Sequence, residues 1–210
     1  MQSKYKLLDY LNVSRETCLD FEEYISMIVK KNKEINLISK LTAQADNIRE
    51  RHIIDSAQVI DFVDLNNNTT CDLGSGGGFP GIVVAIMIKN MKKNMTINLH
   101  EKSHHKSKFL KETTKKLNLG TKVFSEDIFK IKELSAGTII ARAFKPLPVV
   151  LKLVYENFKR YTNLIIFMGK SGEKILGEAL NKWEFDYEKK KSITSKDSFL
   201  LNIKNIKKKF

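Results

Sequence analysis

Apolar residues recur along this chain in two periods, which alternate after residue 65. Short apolar runs bounded by Gly, Asn or Asp are typical of buried strands, and longer stretches with apolar residues three or four apart are typical of helices. The predicted strands lie near 69–73, 96–100, 121–124, 138–142 and 163–168. The predicted helices lie near 82–89, 104–118, 147–159 and 172–183. This alternation predicts an α/β domain with a mostly parallel sheet.

The two ends of the chain depart from this alternation. Apolar side chains in 1–62 keep helical spacing throughout, which predicts a helical start. Residues 185–191 and 198–206 read as two strands in succession, and an antiparallel finish to a parallel sheet is a known layout. We therefore predict an N-terminal helical region over 1–65, packed on a main domain over 66–210.

The link between the first predicted strand and its helix is rich in glycine. Residues 69–81 read Thr-Thr-Cys-Asp-Leu-Gly-Ser-Gly-Gly-Gly-Phe-Pro-Gly. A dinucleotide fingerprint, Gly-x-Gly-x-x-Gly, would need glycine where Phe79 stands, so the spacing from Gly74 and Gly76 favours S-adenosylmethionine over a nicotinamide cofactor. Asp72 is expected to order the turn or to face the cationic end of the cofactor. The structural alternative is a plain glycine-rich reversal of the chain.

Glu101 closes the second predicted strand and is the candidate acid for the ribose of the cofactor. A carboxylate there can accept hydrogen bonds from both ribose hydroxyls, although an ordinary strand-end or helix-cap acid is the alternative. The same place matches His-Glu-x-x-His from His100 to His104, the pattern of zinc proteases. We expect no zinc site, because His100 completes the strand pattern and the helix begins only after Glu101.

Two further sets of residues invite a chemical interpretation. Residues 51–56, Arg-His-Ile-Ile-Asp-Ser, contain the residue types of a hydrolytic triad. Adjacent positions on one helix do not converge, so we interpret this segment as a helix that packs against the cofactor domain. Cys18 and Cys71 are far apart in the chain, which favours two reduced core cysteines and a cytosolic compartment.

Charge adds an expected partner. The net charge of +13 and an isoelectric point near 9.6 favour a polyanion such as nucleic acid. Most basic residues are lysine, in a chain also rich in Asn and Ile, so coding bias can raise their number independently of function. The first ten residues contain no long apolar run of the kind that a signal peptide requires, and no uncharged run approaches membrane-spanning length. We expect a soluble, cytoplasmic monomer with no metal and no membrane partner.

Four segments share a specific order and spacing. They are 36–42 (Asn-Leu-Ile-Ser-Lys-Leu-Thr), 51–56, 72–81 and 141–144 (Ala-Arg-Ala-Phe). Together they resemble the bacterial small-subunit ribosomal RNA guanine-N7 methyltransferases of the RsmG or GidB family. The resemblance extends over nearly the whole chain, with a loose match in the tail after Lys191.

The resemblance implies a class I S-adenosylmethionine-dependent methyltransferase: a Rossmann-like, seven-stranded, mostly parallel sheet with an antiparallel last strand. Residues 66–210 would be the methyltransferase domain, and the substrate would be a guanine N7 in the 530 loop of 16S rRNA, free or in a ribosomal particle. Together with the glycine loop, it predicts a cofactor-binding site made of Gly74, Gly76, Phe79, Glu101, Asp127, Ile128 and Arg142.

Other roles remain open at three of these positions. Asp127 can cap a turn, Phe79 can belong to the core, and Arg142 can neutralise a nearby carboxylate. The family usually has Lys-Gly after the fifth strand, whereas this chain has Gly169-Lys170, so the role of Lys170 is open. Because guanine N7 carries a free lone pair, we predict no catalytic acid or base.

Three alternative functions follow from the same residues. A nicotinamide oxidoreductase shares this type of sheet, although the glycine spacing argues against it. A methyltransferase acting on another RNA base fits the residues as well as guanine does, without the family resemblance. A non-catalytic RNA-binding module is the third, and the presence of Gly74, Gly76 and Glu101 in one chain argues against it.

Overall fold

The computed structural model describes residues 2–209, and its N-terminal quarter is helical, as predicted. Helix α1 begins after Ser14, whose side chain accepts a hydrogen bond from the Thr17 amide. The helical segments are a 3-10 segment (Gln2–Leu11), α1 (Arg15–Lys31), a 3-10 turn (Lys40–Thr42), and then a continuous run of α2 (Ala45–Ile48), a π-helical segment (Arg49–Ile54), α3 (Asp55–Ala57) and a 3-10 segment (Gln58–Phe62).

The remaining chain forms the predicted α/β sheet. Its strands are β1 (Thr69–Leu73), β2 (Thr96–His100), β3 (Thr121–Phe124), β4 (Leu134–Ser135), β5 (Thr138–Ala141), β6 (Phe158–Arg160), β7 (Asn163–Met168), β8 (Trp183–Lys191) and β9 (Phe199–Lys208). Seven of them form one sheet in the order β3-β2-β1-β5-β7-β9-β8. Strand β9 lies antiparallel between β7 and β8, and the other pairs of this sheet are parallel. The predicted antiparallel last strand is confirmed.

Four helices connect the strands: α4 (Gly81–Asn90), α5 (His104–Lys116), α6 (Leu147–Asn157) and α7 (Gly172–Leu180). Two predicted helix ends are wrong. Helix α6 stops at Asn157, whose amide donates to three carbonyls of the segment 128–131, and the next residues pair with β4 as the short strand β6. The last predicted helix, 172–183, includes Trp183, but Trp183 begins β8 and pairs with Lys208.

Two apolar clusters cover the two faces of the sheet. The first combines α1, the helical run of 45–62 and α4, with Phe21, Ile48 and Ile86 fully buried. Residues 81–88 of α4 are buried on every side because the helix lies between the sheet and α1. The second cluster packs α6 and α7 on the other face. The first cluster spans the predicted division at residue 65, and that division remains a prediction.

Gly81 allows β1 to approach the start of α4 closely. Its amide donates to the buried Asp72 Oδ2 at 3.0 Å, and a Cβ at Gly81 would lie against Leu99 Cδ2 and 2.5 Å from Asp72 Oδ2. Both neighbours are buried in a packed core, so neither can give way cheaply.

We expect Gly81→Ala to lower the free energy of unfolding by about 1–3 kcal/mol, measured by urea denaturation, because the added methyl overpacks this contact. The matched control is Gly169→Ala, since a Cβ at Gly169 meets no atom within 4 Å. Equal stability of Gly81→Ala and the wild type would contradict the packing described here.

Candidate active site

A cavity of about 490 Å³ opens at the carboxyl ends of β1, β2 and β5. In open α/β sheets, ligands bind outside the carboxyl ends of the strands. All seven residues predicted for the cofactor site line this one cavity: Gly74, Gly76, Phe79, Glu101, Asp127, Ile128 and Arg142. Sequence reasoning missed several other lining residues, which are Leu37, Ile38, His52, His100, Phe129 and Lys145.

The glycine loop has a backbone that other residues rarely adopt. Gly74, Gly76 and Gly78 have φ angles of +69°, +57° and +101°. A Cβ at Gly74 would collide with the ring of Phe144, and one at Gly78 would collide with the hydroxyl of Tyr24. The Tyr24 hydroxyl also donates to the Gly77 carbonyl at 2.6 Å, so α1 fixes the loop from below.

Asp72 orders the turn, which is one of the two roles predicted for it. It is fully buried, and its Oδ2 accepts the Gly81 amide, whereas Oδ1 has no hydrogen-bond partner within residues 2–209. Burial raises the pKa of Asp72 to about 7, against the lowering effect of its hydrogen bonds.

Glu101 is held in place by the backbone. Its Oε2 accepts the Gly76 amide at 2.9 Å, and its Oε1 accepts the Ser103 amide at 2.7 Å. A carboxylate oxygen has two lone pairs, so each oxygen can accept a further hydrogen bond from a ribose hydroxyl. Glu101 is half-buried on the cavity wall, and its ribose-binding role stays a prediction.

Asp127 and Ile128 form the opposite side of the cavity. Asp127 Oδ1 accepts the Phe129 amide at 3.2 Å and so caps a 3-10 turn over Ile128–Lys130. Capping a turn is the alternative role given for Asp127 above, and Asp127 has that role while it also lines the cavity. The buried side chain of Ile128 supplies an apolar surface.

Arg142 lies at the end of β5 and pairs with a carboxylate. Its Nη2 lies 2.9 Å from Asp55 Oδ2 and donates to the Arg51 carbonyl at 2.6 Å. Burial lowers the pKa of Arg142, and the Asp55 charge opposes that change. Arg142 therefore neutralises a nearby carboxylate, which is the alternative role given for it above, and it also lines the cavity.

Asp55 joins three separate parts of the chain. Its Oδ1 accepts hydrogen bonds from Gln58 Nε2 and Thr194 Oγ1 at 2.8 Å each and from Ser192 Oγ at 3.3 Å. Its Oδ2 holds Arg142. One carboxylate thus links the helical run of 45–62, the end of β5 and the loop between β8 and β9.

We predicted only that the segment 51–56 packs against the cofactor domain. In the structure it also contributes side chains to the cavity and to the ion pair with Arg142. The His52 ring packs against Phe79 at a tilt of 32°, with ring centroids 4.8 Å apart, and its Nδ1 lies 3.4 Å from Arg142 Nη1. Burial and the charges of Arg142 and Arg51 lower the pKa of His52 to about 4, so its ring is neutral near pH 7. The signal was the spacing of His52, Asp55 and Ser56, which share one helix face.

The His-Glu-x-x-His pattern is divided between two elements, as expected. His100 ends β2 and stacks on Phe124 at 4.9 Å, whereas His104 begins α5. Within residues 2–209, no three His, Cys, Asp or Glu side chains are grouped so that they could hold a metal ion. Cys18 and Cys71 are both free and buried, which confirms the prediction of reduced core cysteines.

The sheet order, the glycine loop and the acid after β2 define a class I methyltransferase fold. A solved structure with this fold, a SAM-dependent methyltransferase from Aquifex aeolicus, superposes with a TM-score of 0.57 at 16% identity, covering 83% of this chain and 97% of that one. The family model described as "GidB: rRNA small subunit methyltransferase G" matches residues 17–203. The chain belongs to this family, and it is a methyltransferase.

Two relatives carry the name "Ribosomal RNA small subunit methyltransferase G". The protein from Pelagibacter ubique (strain HTCC1062) is 60% identical over 205 residues, covering 98% of this chain and 96% of the relative. The protein from Bartonella tribocorum (strain CIP 105476 / IBS 506) is 36% identical over 212 residues, covering 99% of this chain and 97% of the relative. The predictions of family, fold class and S-adenosylmethionine as cofactor are confirmed. Within residues 2–209, no helix is long and apolar enough to cross a membrane.

We expect Asp55→Asn to lower the free energy of unfolding by about 3 kcal/mol, because it leaves the Arg142 charge buried without its partner. Urea denaturation measures this loss. The control is Glu173→Gln, which breaks the exposed pair with Lys189 and should cost less than about 1 kcal/mol. Equal losses in the two variants would show that the Asp55 pair is no more important than a surface pair.

The raised pKa of Asp72 should make the protein less stable as pH rises. Between pH 4 and 7 the native protein keeps a proton on Asp72 that the unfolded chain has lost. The contribution of Asp72 to the free energy of unfolding therefore falls as pH rises, by about 1.4 kcal/mol per pH unit. Burial lowers the pKa of His52 and of His100 to about 4, which gives the opposite slope.

Both histidines remain in the Asp72→Asn variant, so their effects cancel in the comparison with the wild type. The variant should gain stability relative to the wild type as pH rises from 4 to 7, measured by urea denaturation at each pH. A constant difference across this range would contradict a raised pKa for Asp72.

Proposed function

We propose that this protein transfers the methyl group of S-adenosylmethionine to N7 of a guanine in small-subunit ribosomal RNA, the guanine of the 530 loop by family resemblance. The observation that supports it most directly is one cavity that holds the glycine loop, Glu101 and Arg142 in a chain of the rRNA methyltransferase G family. We further propose that it works as a cytoplasmic monomer on rRNA or on a ribosomal particle.

The cavity residues fit an adenosyl group. The bare Cα atoms of Gly74 and Gly76 let a ligand lie against the backbone, and Glu101 offers two fixed oxygens to a ribose. The apolar side chain of Ile128, beside Asp127, suits the face and the edge of an adenine ring. When bound, S-adenosylmethionine supplies an electrophilic methyl group on a sulfonium.

Methyl transfer to guanine N7 depends on the orientation of the two ligands and not on proton transfer. Guanine N7 already carries a lone pair, so nothing must be deprotonated before attack. His52 and His100 are neutral near pH 7 and need not titrate for the reaction to proceed. Because Asp55 neutralises Arg142, a base that becomes cationic on methylation faces no uncompensated positive charge at this wall.

Basic residues at the cavity rim suit the RNA backbone. Lys102 and Lys145 are exposed and Lys106 is half-buried, and all three line the cavity. A chain with a net charge of +13 attracts phosphates over a wider surface as well. Lys170 is exposed beyond β7, and we propose no role for it.

The test is transfer of a labelled methyl group from S-adenosylmethionine to purified 16S rRNA and to small-subunit particles, followed by mapping of the modified atom. Label at a guanine N7 in either substrate is the expected result. Label on another base would keep the enzyme class and change the substrate, whereas the absence of transfer to both, from a protein that binds NAD, would overturn the proposal.

We expect Glu101→Gln to weaken S-adenosylmethionine binding by about tenfold to a hundredfold in calorimetric titration, because a hydrogen bond to a charged acceptor is replaced by a weaker one. The control is Glu112→Gln, an exposed position on α5 outside the cavity. An unchanged dissociation constant for Glu101→Gln would remove this carboxylate from the donor site.

A further inference from the structure

Helix α5 carries a row of positive charges along its exposed side. Lys108, Lys111 and Lys115 are exposed and follow one another at spacings of three and four residues. At 3.6 residues per turn, they lie within about 60° of one another around the helix axis and extend over about 10 Å along it. We call these three residues the α5 ridge.

The charges of the α5 ridge are not neutralised by the protein. Within residues 2–209, none of the three lysine side chains forms a salt bridge or a hydrogen bond. The ion pair that α5 does make joins Lys116 to Glu23 of α1 at 3.7 Å. Like charges at spacings of three and four residues repel one another, so the ridge by itself destabilises its helix.

A general excess of lysine does not explain this row. Helix α5 has five lysines and one glutamate, Glu112, which forms no salt bridge to the residues in 2–209. On α6 and α7, by contrast, a lysine pairs with a glutamate four residues further on. These pairs are Lys152 with Glu156 at 3.8 Å and Lys174 with Glu178 at 4.0 Å. A coding bias towards lysine would act on all three helices alike, so the unpaired ridge needs another explanation.

The α5 ridge starts beside the cavity that we propose for the donor. Helix α5 begins at His104, and both Lys102 and Lys106 line that cavity. The first turn of α5 has no acidic side chain, and Ser103 makes no capping hydrogen bond through its side chain, whereas α1 has both features. The positive end of the helix dipole is therefore not offset there. A continuous positive surface leads from the cavity rim along the helix.

We propose that the α5 ridge binds the phosphate backbone of the rRNA segment that flanks the target guanine, outside the donor cavity. The inference rests on the proposed function and adds a binding surface to it. Phosphates of one strand follow one another about every 3 Å along a duplex axis, so a row of about 10 Å can face several of them. Contacts to phosphates position an RNA without reading its sequence.

The composition of this side of α5 favours RNA over a protein or a lipid surface. Its exposed residues are all histidine, lysine or glutamate: His104, His105, Lys108, Lys111, Glu112, Lys115 and Lys116. Protein interfaces have an apolar and aromatic centre in which lysine is depleted, and a helix that lies on a membrane inserts an apolar face. A surface that offers charge alone fits a polyanion.

The experiment removes the ridge charges and compares the result with an equal loss of charge elsewhere. The ridge variant is Lys108→Gln/Lys111→Gln/Lys115→Gln, because glutamine is nearly as favourable in a helix as lysine. The control uses three exposed lysines of β9 that form no salt bridge within residues 2–209 and lie beyond the amino end of β7. It is Lys204→Gln/Lys207→Gln/Lys208→Gln.

We expect the ridge variant to bind 16S rRNA at least tenfold more weakly at about 0.1 M salt. The slope of log Kd against log salt concentration should fall by about 2 to 3, since each phosphate contact contributes roughly 0.7–0.9. The ridge touches no reacting atom, so kcat at saturating rRNA and the Kd for S-adenosylmethionine should stay within twofold of the wild type. The β9 control should match the wild type in all four measurements.

A third variant separates charge from folding. Arginine at the same three positions keeps the charges, so Lys108→Arg/Lys111→Arg/Lys115→Arg should bind rRNA as the wild type does. The glutamine variant of the ridge should unfold at the same urea concentration as the wild type or a higher one, because the repulsion within α5 is gone.

Three results would overturn the inference alone: wild-type rRNA affinity in the glutamine variant of the ridge, an equal loss of affinity in the β9 control, or a loss of affinity in the arginine variant as well. Failure of the wild type to methylate rRNA at all would instead refute the proposed function, and the inference with it.

Discussion

The ion pair between Asp55 and Arg142 is the interaction on which the arrangement of the site depends. It joins a helical segment near the N-terminus to the end of a central strand, and the same carboxylate holds the loop between the last two strands. Two charges withdrawn from water are stable only when their geometry is good and their remaining hydrogen bonds are made. Here the partners come from positions 55, 142, 192 and 194, so these distant parts of the chain must all be in place together.

The donor side of the site obeys a second constraint, which is the shape of the glycine loop. Its positive φ angles leave the Gly76 amide free to bind Glu101, while Tyr24 and Asp72 fix the loop from opposite ends. The N-terminal helices are thus part of the site's support, since Tyr24 and Asp55 both come from them. The same helices complete the apolar cluster that buries α4.

The elements of this fold that local pattern determines could be predicted from the sequence. The period of apolar residues gave each strand of the large sheet to within about two residues, since burial imposes that period. The glycine spacing and the acid after β2 predicted residues that share one cavity, although their roles toward the cofactor remain predictions. The short strands β4 and β6 were missed because Asn157 ends its helix through contacts with residues far along the chain. The role of Asp55 was missed for the same reason.

The proposed donor site lies in the cavity that Glu101 and Arg142 line. The most direct test is a crystal structure of the protein with S-adenosylhomocysteine. We expect both ribose hydroxyls on the Glu101 carboxylate and the sulfur directed toward Arg142 and Ala143, which line the same cavity. A ribose bound away from Glu101, or a sulfur turned away from Arg142 and Ala143, would contradict the proposed donor site.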